Sequence, residues 1–163
     1  MNLNAPHVHL AINHLPVVGS IGIALILLFA LLPAGRAYRR FALVALVVVA
    51  LAGLPAFFSG EPAEEGIENL VGVEETRIEH HEDAARTAVI VLEVAGAIGL
   101  FGLMLFRRKA VPGSLLALAL AVDLGAVVLM AQTASLGGEI RHPEIRSGAD
   151  ALPARAQEAG GDD

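Results

Sequence analysis

Leu15-Pro16-Val17-Val18-Gly19-Ser20-Ile21-Gly22-Ile23-Ala24-Leu25-Ile26-Leu27-Leu28-Phe29-Ala30-Leu31-Leu32 decides the fold. A bilayer's hydrocarbon core asks for about 20 mainly apolar residues in one helix, and this run supplies them. Residues 1–35 contain no Asp, Glu, Lys or Arg. A cleaved signal peptide would bring a basic segment before the run and a small-residue cleavage site after it. Neither is seen, so the run is expected to remain as a first transmembrane helix. Asn13 is expected to cap it, with Pro16 in the first turn. Gly19, Ser20 and Gly22 would let a neighbouring helix approach closely.

Working outward, the same pattern recurs three times. Phe41 to Phe58 is uncharged and holds eleven Leu, Val or Phe side chains. At roughly −0.3 to −0.6 kcal/mol each, their insertion gains about 3 to 7 kcal/mol. Gly53 and Pro55 are expected to kink its far end. A third helix is expected over 77–106, opened by a capping box at Thr76-Arg77-Ile78-Glu79. A fourth is expected over 111–134. The reading is an all-α, four-transmembrane-helix bundle over residues 1–146, followed by a disordered polar tail over 147–163.

Charge is segregated along the chain. Arg36, Arg39, Arg40, Arg107, Arg108 and Lys109, six of the eleven basic residues, sit in two short turns. The positive-inside rule places those turns in the cytoplasm of a bacterial inner membrane and both termini on the outer side. The outer connection, 61–83, holds nine acids against the single base Arg77. Within it Pro62 is expected to open a short surface helix carrying Ile67 and Leu70 and ending near Gly72.

All six histidines (7, 9, 14, 80, 81 and 142) fall on that outer side. Polar residues placed only by their liking for interfaces would scatter over both faces. Three separate segments converging on one face point instead to a histidine-carboxylate site. His7 and His80 read as plain solvated residues. The chain has no cysteine, which excludes disulfides, thiolate metal sites, iron–sulfur clusters and thioether-linked haem.

Asn13-His14-Leu15-Pro16, His81-Glu82-Asp83-Ala84-Ala85 and Gly137-Gly138-Glu139-Ile140-Arg141-His142-Pro143-Glu144-Ile145 carry a family resemblance. So does the spacing of His9 and His14, with Pro16 two positions on. The chain resembles a family of small bacterial four-helix membrane proteins classed as a domain of unknown function. The resemblance covers the four helices and not the tail, and His80 departs from it where an arginine is expected. It implies the topology and the choice of His9, His14, His81 and His142. It implies no activity.

Three functions fit these residues. In the first, His14 and His81 open facing helices and hold a b-type haem, with His9 and His142 nearby and Arg86 meeting a propionate. The protein would then pass electrons, with quinone or a redox partner protein. In the second, His14, His81, His142, Glu82 and Glu139 bind zinc, copper or iron. Glu139 and His142 have the i, i+3 spacing of carboxylate-bridged di-metal bundles, and Glu61 is a further candidate. In the third, the bundle is a structural subunit with no cofactor, and whether the chain is an enzyme stays open. Two more acids, Glu93 and Asp123, fall within the spans, where each ionised carboxylate costs roughly 2.5 to 3.5 kcal/mol. Glu82, Arg86, Val89 and Glu93 share a helical face. Glu93 and Asp123 are expected either to hydrogen-bond across helices as neutral acids or to face each other in a proton relay. Nothing in the sequence points to nucleic acid, a phosphate loop or a nucleophile–base pair. The partner expected with most reason is the lipid bilayer.

Overall fold

The computed structural model describes residues 4–68, 70, 73–142 and 145–146, with Arg141 described by its backbone alone. The tail over 147–163, Gly72, Pro143 and Glu144 lie outside the described residues. The elements are α1 (Ala5–Ile12), α2 (His14–Leu31), a 3-10 turn (Pro33–Tyr38), α3 (Arg39–Phe58), α4 (Gly60–Glu65), α5 (Glu75–Leu105) and α6 (Gly113–Arg141). Four helical stretches, built on α2, α3, α5 and α6, are long and apolar enough to cross a membrane.

These helices are apolar outside as well as inside. Ala42, Ala88, Ala95, Ala119 and Ala126 are fully buried among Leu27, Leu43, Leu46, Leu92 and Leu116. Leu25, Phe101 and Val128 point outward and are 62 to 68% exposed. Between 28 and 39% of each apolar window is buried, so most of that apolar surface faces outward, as a helix that crosses a membrane requires. Each long helix packs on two others: α2 on α3 and α6, and α5 on α3 and α6. The pairs α2/α5 and α3/α6 therefore stand at the diagonals. Small residues set the spacing. A methyl group added to Gly96 would lie 2.5 Å from the Ala50 Cβ, so α3 and α5 meet there nearly backbone to backbone.

The arginines of the first basic turn do more than mark a membrane side. Arg39 donates from Nε to the Ala30 carbonyl at 3.2 Å and from Nη1 to the Val111 carbonyl at 2.9 Å. Arg40 donates from Nη2 to the Phe106 carbonyl at 2.8 Å. Ala30 and Phe106 stand at the ends of α2 and α5, where the last carbonyls lack intrahelical partners and the helix dipole favours cations. Two side chains thus cap two helices and tie both turns at this end together.

The element ends differ from expectation in four places, each for a local reason. The first helical segment starts at Ala5, not Asn13. The Asn4 side chain caps it by accepting from the His7 amide, and Pro6 lies in its first turn. Asn13 makes no capping bond and marks the break between α1 and α2. Pro16 accounts for that break: its nitrogen has no hydrogen, and its ring crowds the carbonyl four residues earlier, at Ile12. The short helix occupies Gly60–Glu65, so Ile67 and Leu70 lie beyond it. The Thr76–Glu79 capping box does not form, because α5 already starts at Glu75; Arg77 reaches back to Glu74 at 3.0 Å instead. The last helix runs on to Arg141, two turns past 134, straight through Gly137 and Gly138. The third expected helix, 77–106, matches α5 closely, and α3 passes through Pro55 to end at Phe58 as expected.

Gly35 offers a test of the turn. A Cβ there would lie 2.0 Å from the Phe29 carbonyl oxygen and 2.9 Å from the Ala30 Cα, both backbone atoms that have no rotamer to yield. Gly35→Ala is expected to destabilise the bundle by roughly 3 kcal/mol or more. Gly22→Ala, with nothing within 4 Å of the new methyl, should leave it unchanged. Unfolding midpoints in detergent, compared for the two variants, check this.

Candidate functional site

One end of the bundle gathers α1, the start of α2, the end of α3, α4, the start of α5 and the end of α6. His9 and His81 meet there within Coulombic reach of each other. His9, on α1, is half-buried, and its Nδ1 lies 2.8 Å from Ser59 Oγ. Ser59 donates its one hydroxyl hydrogen to the Ala56 carbonyl at 2.8 Å. The His9 ring also bonds the Ala56 carbonyl, so Ser59 and Ala56 together hold it in place. His81, on α5, reaches across to α6, where its Nδ1 donates to the Thr133 carbonyl at 3.0 Å. A carbonyl only accepts, so the His81 tautomer is fixed, with the Nε2 lone pair free.

Gly137 explains why α6 accepts the His81 ring. A Cβ at that position would lie 2.9 Å from His81 Cε1, so a side chain there would push the ring away. The bare backbone of Gly137 is what lets the imidazole lie against the last turns of α6.

The other expected ligands do not join this pair. His14 is exposed, and its Nδ1 turns back to the Leu10 carbonyl at 3.1 Å. The histidine brought near His81 is thus His9. His142 is exposed and stands just past the end of α6 with an extended backbone. Glu139 takes an ion pair with Arg77 at 3.3 Å. The i, i+3 reading of Glu139 and His142 therefore fails, since one member has left the helix. Arg86 is 63% exposed and stands 3.9 Å from Asp83, so it leaves the face shared by Glu82 and Glu93. His7 is exposed beside Asn4. His80 is exposed too; with Asp83, Thr87 and Gln132 it lines a shallow groove of about 490 Å³ between α5 and α6. Among the described residues no three His, Asp or Glu side chains converge to hold a metal ion. The five-residue metal set His14, His81, His142, Glu82 and Glu139 is not assembled.

Two carboxyl arrangements complete this half of the molecule. Glu64 of α4 hydrogen-bonds Glu82 of α5 through their side chains, with Glu68 and Glu75 nearby. Two carboxyl groups form such a bond only with a proton between them. Deeper down, Glu93 and Asp123 are not bonded to each other: Glu93 Oε1 and both Asp123 oxygens are buried without a partner. The direct carboxyl pair expected there is absent.

Several participants had no signal in the sequence. Ser59 and Thr133 act through a hydroxyl and a backbone carbonyl, which no spacing reveals. Arg146 donates to Glu74 at 2.8 Å and to the Glu139 carbonyl at 2.9 Å, fastening the end of α6 to the start of α5. Comparison with protein-family models, curated proteins and solved structures finds no match to this chain.

The Glu64–Glu82 bond makes a pH prediction. The folded state holds a proton there that the separated acids would release, so stability falls as the pH rises. The melting temperature in detergent should drop by a few degrees between about pH 5 and about pH 8, as for a loss of about 1 kcal/mol. Glu64→Gln supplies an amide donor in place of the shared proton and should flatten that profile.

Proposed function

We propose that this chain is a multi-pass protein of a bacterial cytoplasmic membrane, with its histidine end on the outer side, and that His9 and His81 there hold a redox cofactor. The cofactor that fits best is b-type haem, and the function is electron transfer, with quinone or a redox protein as exchange partner. One observation carries the reading. Two imidazoles from different helices stand within Coulombic reach of each other, and His81 has its Nδ1–H pinned by the Thr133 carbonyl and Nε2 free, the state in which histidine binds a metal.

The number of ligands favours haem over a bare ion. Haem brings its own four nitrogens and needs two axial side chains, which is what the bundle brings together. Zinc bound by protein alone takes three or four ligands. A single zinc, copper or iron ion on the same two imidazoles is the second reading, supported by the same free Nε2 of His81. Bound haem would supply one-electron chemistry; the chain's share is to fix the His81 tautomer and to shield the end of the bundle with α1 and α4.

The test is the visible spectrum of the detergent-purified protein before and after dithionite. A Soret band is expected, with sharp split bands at lower energy on reduction. His9→Ala and His81→Ala should each lose it, while His14→Ala keeps it. Ser59→Ala should weaken cofactor affinity by about 10- to 100-fold. A featureless spectrum from cells well supplied with haem would sink the haem reading. Elemental analysis for zinc, copper and iron then decides the second, and a metal-free protein leaves a scaffold.

Orientation has its own test, helped by the lack of native cysteine. Glu65→Cys and Ala37→Cys, both at exposed positions, are labelled in spheroplasts with an impermeant maleimide. The first should react and the second should not; the reverse pattern would invert the topology.

A further inference from the structure

Buried side-chain oxygens in folded proteins nearly always have hydrogen-bond partners. Among the described residues of this chain Asn13 Oδ1, Glu93 Oε1, Asp123 Oδ1 and Asp123 Oδ2 have none. These atoms come from three different parts of the bundle, and Asp123 is fully buried.

Helix registers put them in order of depth. Val91 of α5 stands against Gly125 of α6. The two helices are antiparallel, so two residues deeper on each, Asp123 lies level with Glu93. Gly53 of α3 has both the Glu93 carboxyl and the Pro16 ring beside it, which sets Glu93 level with Pro16. Asn13 precedes Pro16 by three residues, about 4.5 Å nearer the histidine end at 1.5 Å per residue. His9 stands one turn beyond Asn13. The unpartnered oxygens thus climb from the bundle's middle to His9 and His81.

The Asn13 amide oxygen lacks a donor, and a neutral carboxyl has one oxygen that lacks a donor and an O–H that lacks an acceptor. No neighbouring side chain supplies these partners. Residues 15–31 of α2 and 41–58 of α3 contain no titratable group. Ser20, fully buried one turn below Pro16, already donates its hydroxyl to the Val17 carbonyl. Glu93 and Asp123 are the titratable groups at this depth, and they do not bond each other. Water, which both donates and accepts, is the remaining partner small enough to reach all three sites, and buried water typically bridges polar groups that would otherwise go unpaired.

We propose that Asp123, Glu93 and Asn13 line a water-threaded proton path from the middle of the bundle to the histidine pair. The path gives two acids inside the membrane access to protons from the outer aqueous phase. It stands on the buried oxygens alone and does not require a cofactor at His9 and His81.

Infrared spectroscopy of the full chain in lipid nanodiscs tests it, in a Glu64→Gln background so that the surface carboxyl pair does not contribute. The carboxylic C=O band should shift within minutes of transfer to D2O. Glu93→Gln and Asp123→Asn, both nearly isosteric, should each remove a part of it and so identify its owners. Asn13→Leu should slow the shift of the Asp123 component severalfold, and Asn13→Ser, which leaves room for water, should restore it. A band unshifted after hours would mean dry acids and overturn the path. So would the absence of any carboxylic band, or exchange in Asn13→Leu as fast as in the parent. Where a variant does not fold, the exchange of the unsubstituted Asn13 parent decides by itself. Loss of the cofactor spectrum in the earlier test leaves this result untouched.

Discussion

Ala50 lies against the bare backbone of Gly96, and the rest of the bundle depends on contacts of that kind. Where the outside is as apolar as the inside, burying leucine gains nothing, and helices hold together by fit. The chain follows that rule: large aliphatic side chains lie both inside and outside, and alanine and glycine stand where two helices come closest. Close backbones then fix where every polar group can stand. His81 reaches the Thr133 carbonyl because Gly137 leaves the space. Glu93 sits beside Gly53 for the same reason. The polar chemistry of this molecule is located by its smallest residues.

The two ends of the bundle satisfy their polar groups differently. At the basic end, guanidinium groups meet helix carbonyls directly, and the requirement is met by geometry alone. At the other end His81 uses one nitrogen for the same purpose and keeps the other free, with His9 within Coulombic reach. The first arrangement is closed and structural. The second leaves a lone pair open, which is why the functional reading rests at that end and not at the arginines.

The four long helices were legible because each is built on a long, mainly apolar run, with Glu93 and Asp123 the acids that interrupt the last two. The ends were harder. Asn13 looked like a cap, yet the helix had begun at Ala5, since a proline three residues on can break a helix as readily as start one. The fourth helix was expected over 111–134, yet α6 runs on through Gly137-Gly138 to Arg141, packed against α5. Tertiary contact overrode local propensity there. For the site, the gathering of His9 and His81 at one end followed from topology. The choice of His14 as the partner did not hold, because which face of a short interrupted helix turns inward depends on the break at Pro16. Ser59 and Thr133 were invisible in principle, as a backbone carbonyl carries no residue type.

Arg39 bonds a carbonyl that precedes it by nine residues and another that follows it by 72. The first bond closes the hairpin of α2 and α3 and needs nothing that comes later in the chain. The second waits until Val111 has been synthesised and the last hairpin has turned. The same side chain therefore belongs first to half a protein and then to a whole one. One guanidinium thus ties a contact local to the first hairpin to one that spans most of the remaining bundle.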